Sequence, residues 1–250
     1  LLPSPCNDSH RCGGFDPHVG GVVLQPLQQL YLLVSLTLLL NGVVVAFLAW
    51  AYYAPRYAAR RFHTMVMRVP WGRRIRVMLL TSALSLTFVF GFARVLFDRI
   101  FYAGPVSPLR VALEATAALL LYDFAYYGLH RIMHIKRVMR FVHGEHHRAR
   151  NPSALDSFFQ HPVELFSGIA LMYAAVYVVG PVHVYSFVLS FFVYSMLNIV
   201  VHSGIEFGGP LLGPFDFLAK KHHHHHMDHF DKNFSSLTPL PDLLFGTASK

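Results

Sequence analysis

Residues 222–229 read His-His-His-His-His-Met-Asp-His and lead into Phe230-Asp231-Lys232-Asn233-Phe234, not to a terminus or a flexible linker. That placement argues against a purification tag. On a helix, His222, His225, His226 and His229 fall at i, i+3, i+4 and i+7 and share one face, while His223 and His224 point away. Similar spacings recur upstream. His130 and His134 are i, i+4; His143, His146 and His147 are i, i+3, i+4; His202 has Glu206 one turn on. A lone histidine is most often a half-buried residue with a satisfied hydrogen bond. Four groups at helical spacing instead supply the clustered neutral imidazoles that a first-row transition metal takes. About nine or ten candidate ligands exceed the needs of one ion and suit two.

The chemistry follows from the donors. A redox-active metal held by neutral nitrogens with open positions is suited to binding dioxygen and attacking strong C–H bonds. Zinc has no redox chemistry and would activate water instead, as in a hydrolase. The helical zinc-protease spacing His-Glu-X-X-His is absent, because His143-Gly144-Glu145-His146-His147 is spaced differently. Cys6 and Cys12 lie far from the histidines, so thiolate ligation is not expected, although their spacing allows a small disulfide. Ring ligands need carboxylates or carbonyls to orient them. Asp123, seven residues before His130 on the same helical face, is an expected contact of the metal's surroundings, because a carboxylate in an apolar stretch is costly. Its plainer role is a hydrogen-bonded helix-end residue. Asn198 and Glu206 share a face with His202 and are further candidates.

The elements that must position these groups are membrane-spanning. The chain is 54% hydrophobic and only 14% charged, with mean hydropathy +0.42, where a soluble domain would carry nearer a quarter charged residues. Apolar stretches at residues 27–54, 77–97, 109–129, 163–179 and 183–201 are five expected spans. Pro55, Gly104-Pro105 and Gly180-Pro181 punctuate them. The formal charge of +8 is concentrated: seven arginines lie between Tyr53 and Met78 without an acidic residue. Flanked by apolar spans, this run reads as a cytoplasmic loop beside anionic headgroups, and no nucleic-acid motif accompanies it. Placing basic segments in the cytoplasm puts the N-terminus outside and every histidine group on the cytoplasmic side. Residues 1–26 form a non-cytoplasmic arm without the apolar core of a signal peptide, and the missing initiator Met suggests a partial or processed start. Residues 27–108 are N-terminal spans with a basic loop, and 109–250 the catalytic unit. The expected fold is all-α: a polytopic transmembrane bundle with a cytoplasmic histidine-rich helical cap holding two metals.

His130-Arg-Ile-Met-His134, His143-Gly-Glu-His146-His147, His202-Ser-Gly and His222-X-X-His225-His226, closing with Asp231-Lys-Asn233-Phe234 and Asp242-Leu-Leu-Phe-Gly-Thr247, resemble the fatty acid hydroxylase / sterol desaturase superfamily from about residue 119 to 247. The His-Ser-Gly element followed by an acidic residue is similar to the sterol C4-methyl oxidase branch. The resemblance implies a membrane di-iron enzyme using O2 to hydroxylate, desaturate or demethylate a lipid. It implies His130, His134, His143, His146, His147, His202, His222, His225 and His226 as iron ligands. It also implies a separate electron carrier of the cytochrome b5 or ferredoxin type; no dinucleotide, haem or iron–sulfur motif is present. His161-Pro162-X-Glu164 matches a recurrent family element of unassigned role. Glu206 stands where part of the family has a histidine, so either Glu206 or His229 completes the set. The fourth box also aligns on His222 and His223, with Ala219 where a histidine is expected. The compartment is the endoplasmic reticulum if the source is eukaryotic, the inner membrane if bacterial. Desaturation within the superfamily, a metal transporter and a metal-free interaction protein are the rival readings.

Overall fold

The computed structural model describes residues 24–63, 69–227 and 230–249. Cys6, Cys12, His229 and most of the N-terminal arm lie outside them. Five long helices alternate in direction: α1 (Pro26–Tyr53), α2 (Trp71–Ile100), α3 (Pro108–Met133), α5 (Pro162–Val179) and α6 (Val184–Val201). Between α3 and α5, a short α4 (Lys136–Val138) runs into a π-helical turn (Met139–His143) and 3-10 turns at His146–Arg148 and Ala154–Phe158. After α6 come α7 (Gly213–Met227) and α8 (Leu240–Leu244). Pro26, Pro108 and Pro162 open their helices at the first turn, where no backbone donor is needed. Gly180, at φ 105°, ends α5 in a conformation that suits glycine.

Four described helices, α1, α2, α5 and α6, are long and apolar enough to cross a membrane. The third expected span differs. It forms the body of α3, but α3 does not reach that apolarity and carries Arg110, Glu114 and Asp123. It still sits inside the bundle, packed on α5 and α6; α5 also packs on α2, and α6 on α1. Outer faces are apolar: Leu39, Val43 and Phe47 on α1 and Leu79, Leu86 and Val95 on α2 are exposed. Only 11% of the most apolar stretch of α2 is buried. Such a continuous apolar surface is stable against lipid, not water.

The two ends of the bundle are closed differently. At one end, β1 (Phe101–Tyr102) pairs in parallel with β2 (Val182–His183). There Glu114 accepts from the His183 amide at 2.8 Å, Ser186 Oγ at 2.7 Å, Tyr102 OH at 2.8 Å and Arg110 Nε at 2.7 Å. The opposite end receives the C-termini of α3 and α6 and carries the histidines. Here Arg74, fully buried, donates to Asp156 Oδ1 at 2.6 Å and to Oδ2, to Tyr53 OH at 2.8 Å and to Ser153 Oγ at 2.7 Å. Arg73 pairs with Glu145 at 2.6 Å. Part of the arginine run therefore clamps the cap to the helices, where the sequence suggested headgroup contacts throughout. Replacing Arg74 by Met strands the Asp156 charge in a buried site, so Arg74→Met should cost about 3–5 kcal/mol. Thermal denaturation in detergent checks this, and an unchanged midpoint would refute the clamp.

Candidate metal centre

The nine histidines that the resemblance implies as ligands converge into two adjoining groups, His130, His134, His143, His147 and His225 in one and His146, His202, His222 and His226 in the other. Within each group one potential ligand atom per residue lies within 4.8 Å of the others. The last turn of α3 brings His130 and His134, the π turn His143, the following 3-10 turn His146 and His147, the end of α6 His202, and α7 the remaining three. Neighbours in sequence separate: His147 joins the first group and His146 the second, as do His225 and His226. Adjacent positions on a helical turn point roughly 100° apart, so each His-His pair spans both groups. The groups therefore abut, with the His147 and His226 rings 4.6 Å apart.

Ring orientation is set by main-chain carbonyls. Nδ1 of His130 lies 2.7 Å from Phe234 O, that of His146 3.1 Å from Phe159 O, that of His202 2.7 Å from Asn198 O and that of His225 2.6 Å from Lys232 O. A carbonyl only accepts, so each of these Nδ1 atoms carries the proton and leaves a lone pair on Nε2. Those lone pairs face other ring nitrogens. His202 Nε2 is 3.2 Å from His146 Nε2 and 2.9 Å from His222 Nε2. His130 and His147 each place Nε2 3.0 Å from His143 Nε2. His146 and His202, both protonated on Nδ1, have no hydrogen to share. A second proton is opposed by burial, which pushes His134, His143 and His202 down to about 3. Nitrogens packed like this without a proton between them fit a cation that both donate to. The donor set, neutral imidazole throughout, fits a first-row transition metal such as iron.

The surrounding carboxylates are not the ones spacing suggested. Asp123 does not touch the histidines. It accepts from the amides of Ser236 at 3.2 Å, Leu237 at 2.8 Å and Thr238 at 3.0 Å, and from Thr238 Oγ1 at 2.6 Å. Its carboxylate satisfies a turn that folds back onto α3, which explains its presence in an apolar helix. Glu206 is half exposed and pairs with Lys220 at 2.6 Å, outside both groups. Asn198 acts through its backbone oxygen, not its side chain. The carboxylate beside the rings is Glu164, buried in the first turn of α5, 3.0 Å from His143 Nδ1 though out of line for an aligned hydrogen bond. The cost of a carboxylate in an apolar run pointed to Asp123 and applied equally to Glu164.

The C-terminal motif supports His130 at one remove. Asp242 accepts from the Phe234 amide at 2.8 Å, the Ser235 amide at 3.0 Å and Thr247 Oγ1 at 2.8 Å, and pairs with Lys221 at 2.7 Å. Burial alone would raise the Asp242 carboxyl, but the Lys221 ammonium and the hydrogen bonds from Ser235 together outweigh it and the net shift is downward. This holds the Phe234 carbonyl against His130. His222, His225 and His226 of the polyhistidine run enter the groups; His223 instead lies against Phe62 and His63, with ring centroids 5.5 and 6.2 Å away, and His224 is exposed. Ala219, the alternative position in that alignment, is buried in α7. Gly204, at φ +67°, follows His202 where an added Cβ would lie 2.2 Å from Pro152 O, so the His-Ser-Gly element needs its glycine for the turn under that backbone.

A cavity lies on the bundle side of the histidines. Because α1 and α2 touch little, a space of about 210 Å3 opens between them and reaches α5 and α6. Gln160 and Asn198 line it and also line two spaces of about 20 Å3 beyond it, the innermost of which is walled by His130, His146, His202 and His222.

The fatty acid hydroxylase family model matches residues 115–247, over half of the chain. The chain belongs to the fatty acid hydroxylase family. Among its relatives are methylsterol monooxygenase 2-2 of Arabidopsis thaliana, 32% identical over 56% of this chain and 55% of the relative, and a very-long-chain aldehyde decarbonylase of Oryza sativa subsp. indica, 34% identical over 51% and 49%. Methylsterol monooxygenase 1 of Rattus norvegicus is 27% identical over 50% of this chain and 43% of its own length. The chain spans about half the length of the curated relatives it matches. No solved structure matches it. The matched region of the family contains every histidine of both groups.

Removing either support should loosen metal without unfolding the bundle. Glu164→Ala and Asp242→Ala are each expected to weaken metal retention about 10–100-fold, read as release to a chelator from purified protein. Retention equal to the parent chain in both variants would show that the rings are oriented by the carbonyls alone.

Proposed function

We propose that this chain is an O2-dependent lipid hydroxylase with two iron ions, acting on a sterol or a fatty-acyl chain. The observation that carries the reading is the pair of abutting histidine groups whose unprotonated nitrogens face one another at the inner end of a membrane-level cavity. Bound there, iron would supply activation of O2 and attack on an unactivated C–H bond. One oxygen atom enters the lipid and the other leaves as water, with two electrons and two protons supplied from outside.

The residues of the chain bind and orient. Each main-chain carbonyl fixes one ring with Nε2 inward, and Glu164 faces the outer edge of His143. Tyr126, half-buried beside His130 with ring centroids 5.4 Å apart, helps exclude water from the inner space. Residues 109–250 carry the whole histidine set, whereas 27–108 supply two walls of the cavity. The membrane face of the cavity suits a substrate already dissolved in the bilayer. The relatives' names add sterol and long-chain lipid substrates as candidates.

Electrons come from a separate carrier, of the cytochrome b5 or ferredoxin type. An open depression of about 400 Å3 lined by Arg73, Arg148, Arg150 and His147 sets basic surface against a grouped imidazole, which suits an acidic carrier. The same basic surface favours the cytoplasmic side, in the endoplasmic reticulum membrane of a eukaryote or the inner membrane of a bacterium.

The test is direct. Purified chain should hold two irons, and cells expressing it should accumulate a lipid heavier by one oxygen. His146→Ala/His147→Ala, which takes one ligand from each group, should abolish that product and lower iron. The same mass gain from the double variant would sink the assignment, and a loss of two hydrogens instead of a gain of oxygen would mark a desaturase.

A further inference from the structure

Among the described residues that line the membrane-level cavity, one fully buried side-chain polar atom has no hydrogen-bond partner. Asn41, at the middle of α1 and 4% exposed, lines the space together with Ser195 of α6. Asn41 Nδ2 donates to Ser195 Oγ at 2.7 Å. The Ser195 hydroxyl hydrogen is already committed, donated to the carbonyl of Phe191 at 2.7 Å. With that hydrogen on the Phe191 carbonyl, Ser195 Oγ accepts from Asn41 Nδ2 and the amide oxygen points away from Ser195. Asn41 Oδ1 is left buried with no hydrogen-bond partner. Burying an amide oxygen unpaired is costly, most of all at membrane depth.

We infer that Asn41 selects the substrate, its Oδ1 accepting a hydrogen bond from a hydroxyl of a lipid lodged in this cavity. The chemistry is restrictive. An alcohol donates; an aldehyde, an ester, an ether or a hydrocarbon does not. The placement is restrictive as well. Ser195 precedes His202 by seven residues on α6, or about 10 Å along the helix axis. The hydroxyl and the oxidised carbon are then separated by roughly that distance in the bound lipid. A lipid attacked far from its hydroxyl must carry that hydroxyl away from the interface and into the bundle, where it loses water. Asn41 replaces the lost partner. Gln160 and Asn198, between the outer cavity and the histidines, are the polar groups that a lipid attacked next to its hydroxyl would meet instead. Only the identity of the reacting end rests on the oxygenase reading above.

The experiment measures equilibrium binding to the iron-loaded chain in lipid nanodiscs, with two probe pairs: cholesterol against its 3-O-methyl ether, and hexadecan-1-ol against its methyl ether. The ether keeps the shape and an acceptor but loses the donor. In at least one pair the alcohol should bind about tenfold more tightly. Asn41→Leu should bring that ratio to about one, whereas Asn41→Thr, which keeps an acceptor, should retain part of it. Iron content is measured in each variant to show that the fold is kept. The pair that discriminates tells a sterol from a long-chain alcohol. If neither alcohol binds more tightly than its ether, or if Asn41→Leu keeps the preference, a water fills the site and the inference is overturned. Because binding is read without turnover, discrimination in this assay together with no oxygen-bearing lipid in the expressing cells would remove the oxygenase reading and leave the selection by Asn41 standing.

Discussion

The structure depends on bringing buried imidazole nitrogens to about 3 Å from one another, and between His146 and His202, each protonated on Nδ1, there is no proton to share. Alone, this arrangement is unfavourable: lone pairs repel, and burial denies each ring the extra proton that would relieve them. A cation turns the same geometry into a stable one, so folding of this end of the bundle and metal binding are linked. The protein meets the cost elsewhere by giving ring after ring a main-chain carbonyl on its outer edge. Those carbonyls come from four separate places, at Phe159, Asn198, Lys232 and Phe234.

Holding such carbonyls in place explains where the scarce acidic residues went. Asp123 binds the turn at 236–238, Asp242 the amides of Phe234 and Ser235 together with Lys221, and Asp156 the guanidinium of Arg74. Each is buried; Asp123 and Asp156 tie the cap to α3 and α2, and Asp242 holds the cap together. Glu114 does the same for the two short connections at the far end. A chain with only 13 acidic residues spends several of them on backbone amides and buried cations rather than on solvent. Asn233, at φ 59°, belongs to the same frame: Asn tolerates this left-handed conformation, and its amide reaches Lys221 O at 3.2 Å.

The bundle sets the other half of the site. Helices α3 and α6 deliver their histidines at one end because each runs the full height of the bundle from the end opposite. The gap between α1 and α2 is a consequence of packing α5 on α2 and α6 on α1, with little direct contact between the first two helices. It leaves a largely apolar cavity with a few polar side chains, which shares Gln160 and Asn198 with the space beside the histidines.

Much of this was legible from local pattern. Helical spacing marked the histidine clusters, since i, i+3 and i+4 neighbours share a face wherever the helix lies, and the family resemblance narrowed them to nine. Apolar stretches interrupted by Pro and Gly located the spanning helices, because a bilayer imposes length and composition directly on sequence. Tertiary structure decided what depends on partners remote in the chain. Asp123 and Glu164 are both carboxylates in apolar runs, and only the fold shows that the first meets backbone amides 113 to 115 residues away while the second meets His143. In sequence Arg74 is one of seven arginines of a basic run; only the fold sets Asp156 beside it. The division of His146 from His147, the orientation of each ring by a distant carbonyl, and the cavity between α1 and α2 likewise follow from where elements meet. Spacing along one helix carries no information about that.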